Sequence, residues 1–204
     1  LASGSLWFGE EFNAGQLRTF TLTLENPDLT KTIQFAVSAA ARSSKPSSMN
    51  VTINGTPVND ITFQPENTND PTWEFANEQN STFSSLITSG SIQLKLGYTA
   101  SNNTSYAWLD FISVNYQSSM NMNSDVYLFR GKGADGTVST SEFVLNGGTS
   151  SSRIIDITDI NNLLEMPATY INSQLKFKSK STGTREYVAF NPTGTIPVPE
   201  LVGT

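Results

Sequence analysis

Apolar and polar residues alternate along much of the chain, the pattern of β-strands that bury one face. In 17–24, Phe20, Leu22 and Leu24 fall on one side, and Thr19, Thr21 and Thr23 on the other. In 32–41, Ile33, Phe35, Val37 and Ala39 share a face. Met49, Val51 and Ile53 alternate into Asn54-Gly55, a strong hairpin signal because a type I′ turn needs positive φ at both central residues. Val58, Ile61 and Phe63 fit the returning strand, and Ile92, Leu94, Leu96 and Tyr98 fit another. The stretch 107–116 is apolar at both parities, through Trp108, Leu109, Phe111, Ile112, Val114 and Tyr116. That reads as a central strand covered on both faces. Trp108 is accordingly expected in the core, where Trp108→Ala would cost about 3–5 kcal/mol by opening a cavity.

Further strands are expected at 126–130, 142–145, 153–157, 174–180 and 185–190, with turns at Asn146-Gly147-Gly148 and Thr182-Gly183. The segment between Pro65 and Ser81 is polar, with only Trp73 and Phe75 as large apolar residues, and reads as a long loop crossing between sheets. A short helix is expected from Asp159, as its cap, to Glu165, with Pro167 as its stop. The expected fold is all-β: a jelly-roll-like sandwich with a further β-rich lobe and at most one short helix. Residues 1–118 are expected to form the sandwich, 119–191 the second lobe or a part of the same sandwich, and 192–204 a linker.

Composition sharpens this picture. Of 204 residues, 26 are Ser, 24 Thr and 19 Asn, a third of the chain. That suits strands faced with hydroxyls and joined by Asn-rich turns. There is no Cys and no His. Thiol nucleophiles, Ser–His–Asp triads and zinc sites built on Cys or His are therefore excluded within this chain. The net charge of −6 and the lack of a Lys/Arg cluster argue against nucleic acid as a partner. No apolar run approaches the roughly 18 residues of a membrane-spanning helix.

Candidate chemistry is sparse. Glu10-Glu11 is an adjacent carboxylate pair, but neighbours on a strand face opposite ways, so a solvated or salt-bridged role is expected. Gly131-Lys132-Gly133-Ala134-Asp135-Gly136 lacks the spacing of a phosphate loop and reads as a hairpin tip, with Asp135 a weak candidate for calcium. Asp156 and Asp159 read as a strand end and a helix cap rather than a metal site. No cofactor is implied. Trp7, Phe8, Trp73, Tyr98, Tyr106 and Trp108 could supply a sugar-stacking platform, although aromatics are also the usual sandwich core. Trp73 and Tyr106 are the candidate binding residues. The Asn-x-Ser/Thr triplets at Asn50, Asn54, Asn80, Asn102 and Asn103 are of a number that chance supplies in such a composition.

One ordered set of motifs resembles a known family. It runs from Trp7-Phe8-Gly9-Glu10 and Ala40-Ala41-Arg42-Ser43-Ser44 to the stretch Trp108–Tyr116. Phe129-Arg130-Gly131, Ile155-Asp156-Ile157-Thr158-Asp159 and Arg185-Glu186-Tyr187-Val188-Ala189-Phe190 follow. Together they resemble the region preceding the catalytic domain in gingipain-type cysteine peptidases, the sortase-like members of the type IX secretion system in Bacteroidetes. The tail Pro199–Thr204 resembles the connection into the peptidase domain. The resemblance implies export to the cell surface. It also implies that the nucleophilic Cys and its His lie in the following domain, so no catalytic residue carries over. The partners implied are the chain's own downstream catalytic domain and secreted cargo or secretion-system proteins. An independent carbohydrate-binding module is the alternative.

Overall fold

The computed structural model describes residues 8–67, 69, 70, 72, 74–132 and 137–196, with the side chain of 132 excepted. Contacts divide the chain between Ser119 and Met120 into two compact units. Among the described residues there is no helix.

The first unit holds eight strands: β1 (Glu11–Asn13), β2 (Leu17–Thr23), β3 (Ile33–Arg42), β4 (Ser47–Ile53), β5 (Thr56–Phe63), β6 (Asn77–Ser85), β7 (Ser91–Thr99) and β8 (Tyr106–Asn115). They form two antiparallel sheets, ordered β1-β8-β3-β6 and β2-β7-β4-β5. Strands of one sheet interleave in sequence with strands of the other, which is the jelly-roll arrangement of an eight-stranded double sheet. Both inner faces contribute to one core. Phe12, Phe35, Val37 and Leu109 meet Met49, Ile61, Leu94 and Leu96 there, all but fully buried. The core arises because the apolar parity of each strand points inward, so a one-residue slip would turn that face to water. The Asn54-Gly55 turn forms as expected, with φ of 49° and 83°.

Two expectations are corrected here. The polar segment after Pro65 is not loop throughout: Asn77–Ser85 is β6, paired along its length with β3. And β8 is central in its sheet but not covered on both faces. Its register with β3 shifts between Ser38 and Ala39, which leaves Asp110 without a partner. Before this bulge Ala107 and Leu109 point inward; beyond it Ile112 and Val114 do. The extra residue switches parity, so the strand is apolar at odd and then at even positions while burying one face only. Trp108 therefore lies on the outer face, half-buried, and not in the core.

The second unit holds β9 (Val126–Lys132), β10 (Ser139–Asn146), β11 (Arg153–Asp156), β12 (Leu164–Glu165), β13 (Ala168–Ile171), β14 (Gln174–Ser181) and β15 (Thr184–Phe190). These form sheets ordered β12-β11-β15-β9 and β10-β14-β13. Their shared core includes Tyr127, Phe129, Leu145, Ile154, Leu175, Phe177 and Tyr187. The expected helix at 159–165 is absent. Asp159 caps a turn, its Oδ1 accepting from Asn161 N at 3.0 Å, and Leu164-Glu165 pair with β11 instead. Strand pairing satisfies the backbone there better than one isolated helical turn, which is costly to nucleate.

Candidate functional site

The outer face of the β1-β8-β3-β6 sheet carries an aromatic ledge. Register sets it: Trp108 stands between Glu11 on β1 and Ala40 on β3, and Tyr106 between Asn13 and Arg42. Ala40 is 2% exposed. A methyl on an outward face is buried to that degree only when larger neighbours such as Trp108 lie over it. Tyr106 and Trp108 stack with centroids 6.3 Å apart at 28°, and Phe75, from the loop before β6, lies 6.0 Å from Trp108 at 37°. The Arg42 guanidinium sits 4.5 Å from the Phe75 ring centroid and donates to Phe75 O at 2.7 Å. Trp108 Nε1 donates to Glu11 Oε2 at 3.1 Å.

The result is three neighbouring ring faces held by one cation–π contact and one carboxylate hydrogen bond. Phe75 is 67% exposed. Such a surface can stack against the C–H face of a sugar ring or against apolar side chains. The Glu11 carboxylate beside it is engaged by Trp108 Nε1.

Of the candidates that the residue pattern suggests, Tyr106 lies in the ledge. Trp73 and Asp135 fall outside the described residues, as do Trp7 and Gly133–Gly136. Tyr98 is 1% exposed and belongs to the core, so it is removed from the platform. Phe75, Arg42 and Glu11 are additions. Phe75 stands out in the sequence only as an apolar residue in a polar stretch, and Glu11 is placed only by the β1–β8 register. The Glu10-Glu11 pair is resolved by that register: Glu11 serves Trp108. Among the described residues no group of three or more acidic, His or Cys side chains could hold a metal.

Asp156, in the second unit, is a buried and fully engaged carboxylate. It is 4% exposed, and Oδ2 accepts from Arg185 Nη1 at 2.6 Å. Oδ1 accepts from Thr158 N at 3.0 Å and Thr158 Oγ1 at 2.5 Å. Burial alone would push this carboxyl up, but the Thr158 bonds and the Arg185 guanidinium outweigh burial and hold it below its ordinary value. It borders a cleft of about 450 Å³ with Asp159, Asn162 and Ser181. With both oxygens occupied it acts as a structural tie between β11 and β15, not as a free base.

The second unit also exposes large apolar side chains within one short stretch. Ile160 is 73% exposed, Leu163, Leu164 and Ile171 are each 51%, and Tyr170 is 39%. Both strands there, β12 and β13, are sheet edges.

No family model and no curated protein matches the chain. Among solved structures, dimeric latent PorU from Porphyromonas gingivalis is similar over 93% of this chain, with a TM-score of 0.79 and 18% identity. This chain spans 19% of that protein's length. The likeness establishes a shared fold. The insecticidal delta-endotoxin Cry8Ea1 from Bacillus thuringiensis matches 53% of the chain and 19% of its own, at TM-score 0.41 and 19% identity. Carbohydrate-binding module CBM36, solved with calcium and xylotriose, matches 55% of the chain and 91% of its own, at 0.35 and 16%. These two similarities are too low to carry an argument.

Proposed function

We propose that this chain is a non-catalytic β module of a gingipain-type surface cysteine peptidase of the type IX secretion system. It precedes the peptidase domain and positions that domain or contacts cargo or secretion partners. The observation that carries this reading is the likeness to PorU across 93% of the chain, which takes in both units and not merely a common sandwich. Two features support it. The chain has no Cys and no His, so the Cys–His chemistry must reside elsewhere. Large apolar side chains stand exposed through 160–171, which suits a docking face, since exposed apolar surface marks interfaces. In this reading the peptidase domain covers that face, residues 1–118 and 119–191 are the two lobes, and 192–204 lead toward it. Export to the cell surface follows from the same reading.

The test is a Leu164→Glu, Ile171→Glu double variant placed in the full-length protein. Both side chains are half-exposed, so the lobe should still fold. Limited proteolysis between this module and the peptidase domain should speed up about tenfold or more, as two buried apolar contacts are lost. An unchanged cleavage rate would remove this face as the docking surface.

The aromatic ledge favours a second reading, a carbohydrate-binding module. Here an oligosaccharide stacks on Phe75, Trp108 and Tyr106. Titration with xylotriose or laminaritriose should shift tryptophan emission with affinity in the roughly millimolar range, and Trp108→Ala should abolish the response. Because Trp108 lies on the outer face and is only partly buried, that substitution should cost about 1–2 kcal/mol, well below a full core cavity. A loss of about 4 kcal/mol would return Trp108 to the core; no response to any sugar would leave the first reading alone.

A further inference from the structure

Three of the chain's seven lysines stand on one strand. On β14, Leu175, Phe177 and Ser179 point inward and are buried, which turns Lys176, Lys178 and Lys180 to the outer face. Same-face residues of a strand recur about every 6.8 Å, so the three lysines form a row along β14. The row leaves no charge cluster in the sequence, because the lysines alternate with core residues and never adjoin.

The fold does little to neutralise this row. Lys178 meets Glu142 across the ladder at 3.9 Å, with both side chains more than half exposed. Lys176 is opposite Val144 and Thr169, and Lys180 opposite Thr140. Neither forms a salt bridge among the described residues. Like charges this close along a strand repel, and they do so in a chain whose net charge is −6. An external polyanion relieves that repulsion.

We infer that the outer face of the β10-β14-β13 sheet binds an extended acidic polypeptide segment with carboxylates at alternate positions. An extended peptide presents alternate side chains to one side at the same interval as the lysine row, so each carboxylate meets one ammonium. A two-fold acidic polysaccharide turns successive carboxylates to opposite sides, and its same-side charges are spaced more widely than the lysines. Thr140 and Thr169 flank the row as hydrogen-bond donors. This inference stands apart from the function proposed above and survives its failure.

The test is fluorescence polarisation of a labelled peptide alternating Glu and Thr, with a peptide of the same composition but blocked Glu and Thr as its partner probe. The 204-residue chain should bind the alternating peptide saturably and more tightly than the blocked one, with affinity falling as salt rises. K176Q/K178Q/K180Q should weaken binding about tenfold. If that variant loses its thermal transition, K176Q/K180Q, which keeps the Lys178–Glu142 pair, takes its place. The inference is overturned by equal binding of the two peptides, by lysine variants that bind like the parent, or by polygalacturonate displacing the peptide more effectively than unlabelled peptide does.

Discussion

Replacing Phe177 by Ala is expected to cost about 3–5 kcal/mol, the largest single loss in the second unit. Phe177 is 2% exposed and its ring sits inside an aromatic cluster with Phe129, Phe143 and Tyr187. It stacks on Phe143 at 4.8 Å and meets Tyr187 edge-on at 5.2 Å and Phe129 at 6.1 Å. Truncation removes the transfer free energy of the ring and leaves a cavity that stacked rigid neighbours cannot collapse into. It also forfeits edge-to-face and offset contacts, each worth about 0.5–1.5 kcal/mol beyond area. For a unit of this size the melting midpoint should fall by roughly 15 °C or more. Phe177→Leu, which fills most of the space, should lose less than half as much. Calorimetry on the three proteins checks this; a shift of a few degrees for Phe177→Ala would mean the cluster repacks and the core is not close-packed.

Arg185→Met is expected to cost about 1–2 kcal/mol at pH 7, below the figure for a fully buried pair because the Arg185 side chain is 36% exposed, and less near pH 4. The substitution strands the buried Asp156 carboxylate with only its Thr158 bonds. In the parent, Asp156 titrates below its ordinary value. Its contribution is therefore fully present above the unfolded carboxylate pKa of about 3.9, and it is lost as pH falls through the lower folded value. Without the guanidinium, only the Thr158 bonds oppose burial, and the folded pKa moves up from the parent's lowered value. The variant then gains relief by taking a proton as pH drops, and its deficit against the parent narrows. Urea unfolding at pH 7 and pH 4 measures both gaps. Adding Asp156→Leu should recover most of the loss at pH 7, because a buried pair replaced by apolar residues is often neutral. A deficit that does not change with pH would show that Arg185 contributes by packing rather than by charge.

The strands legible in the sequence are those that bury one clean parity. In β3, β4 and β7 every core position follows from the period of two. β6 escapes that pattern because Phe83 is its only large apolar residue; nine register pairs with β3 hold it as an edge strand, and backbone pairing leaves no mark on composition. β13 escapes it for a related reason. Its hairpin to β14 turns through Asn172-Ser173, with φ of 52° and 61°, and lacks the glycine that usually marks such a turn. A bulge accounts for the difference at Trp108, since a parity switch and a doubly covered strand give the same string of apolar residues. Of the ledge, Tyr106 is readable as an aromatic on a strand. The grouping of Tyr106 with Trp108, Phe75 and Arg42 is a product of β3–β8 register and a loop path that no local pattern encodes.

If this β module serves a peptidase, the catalytic residues lie beyond Thr204. Reading the coding sequence downstream of the Thr204 codon tests that claim most directly. The expected result is an open frame of roughly 300 or more residues with alternating strand and helix patterns, containing a Cys and a His suited to a nucleophilic dyad. A stop codon within a few dozen residues, or a continuation without both residue types, would contradict it and leave the aromatic ledge as the basis of function.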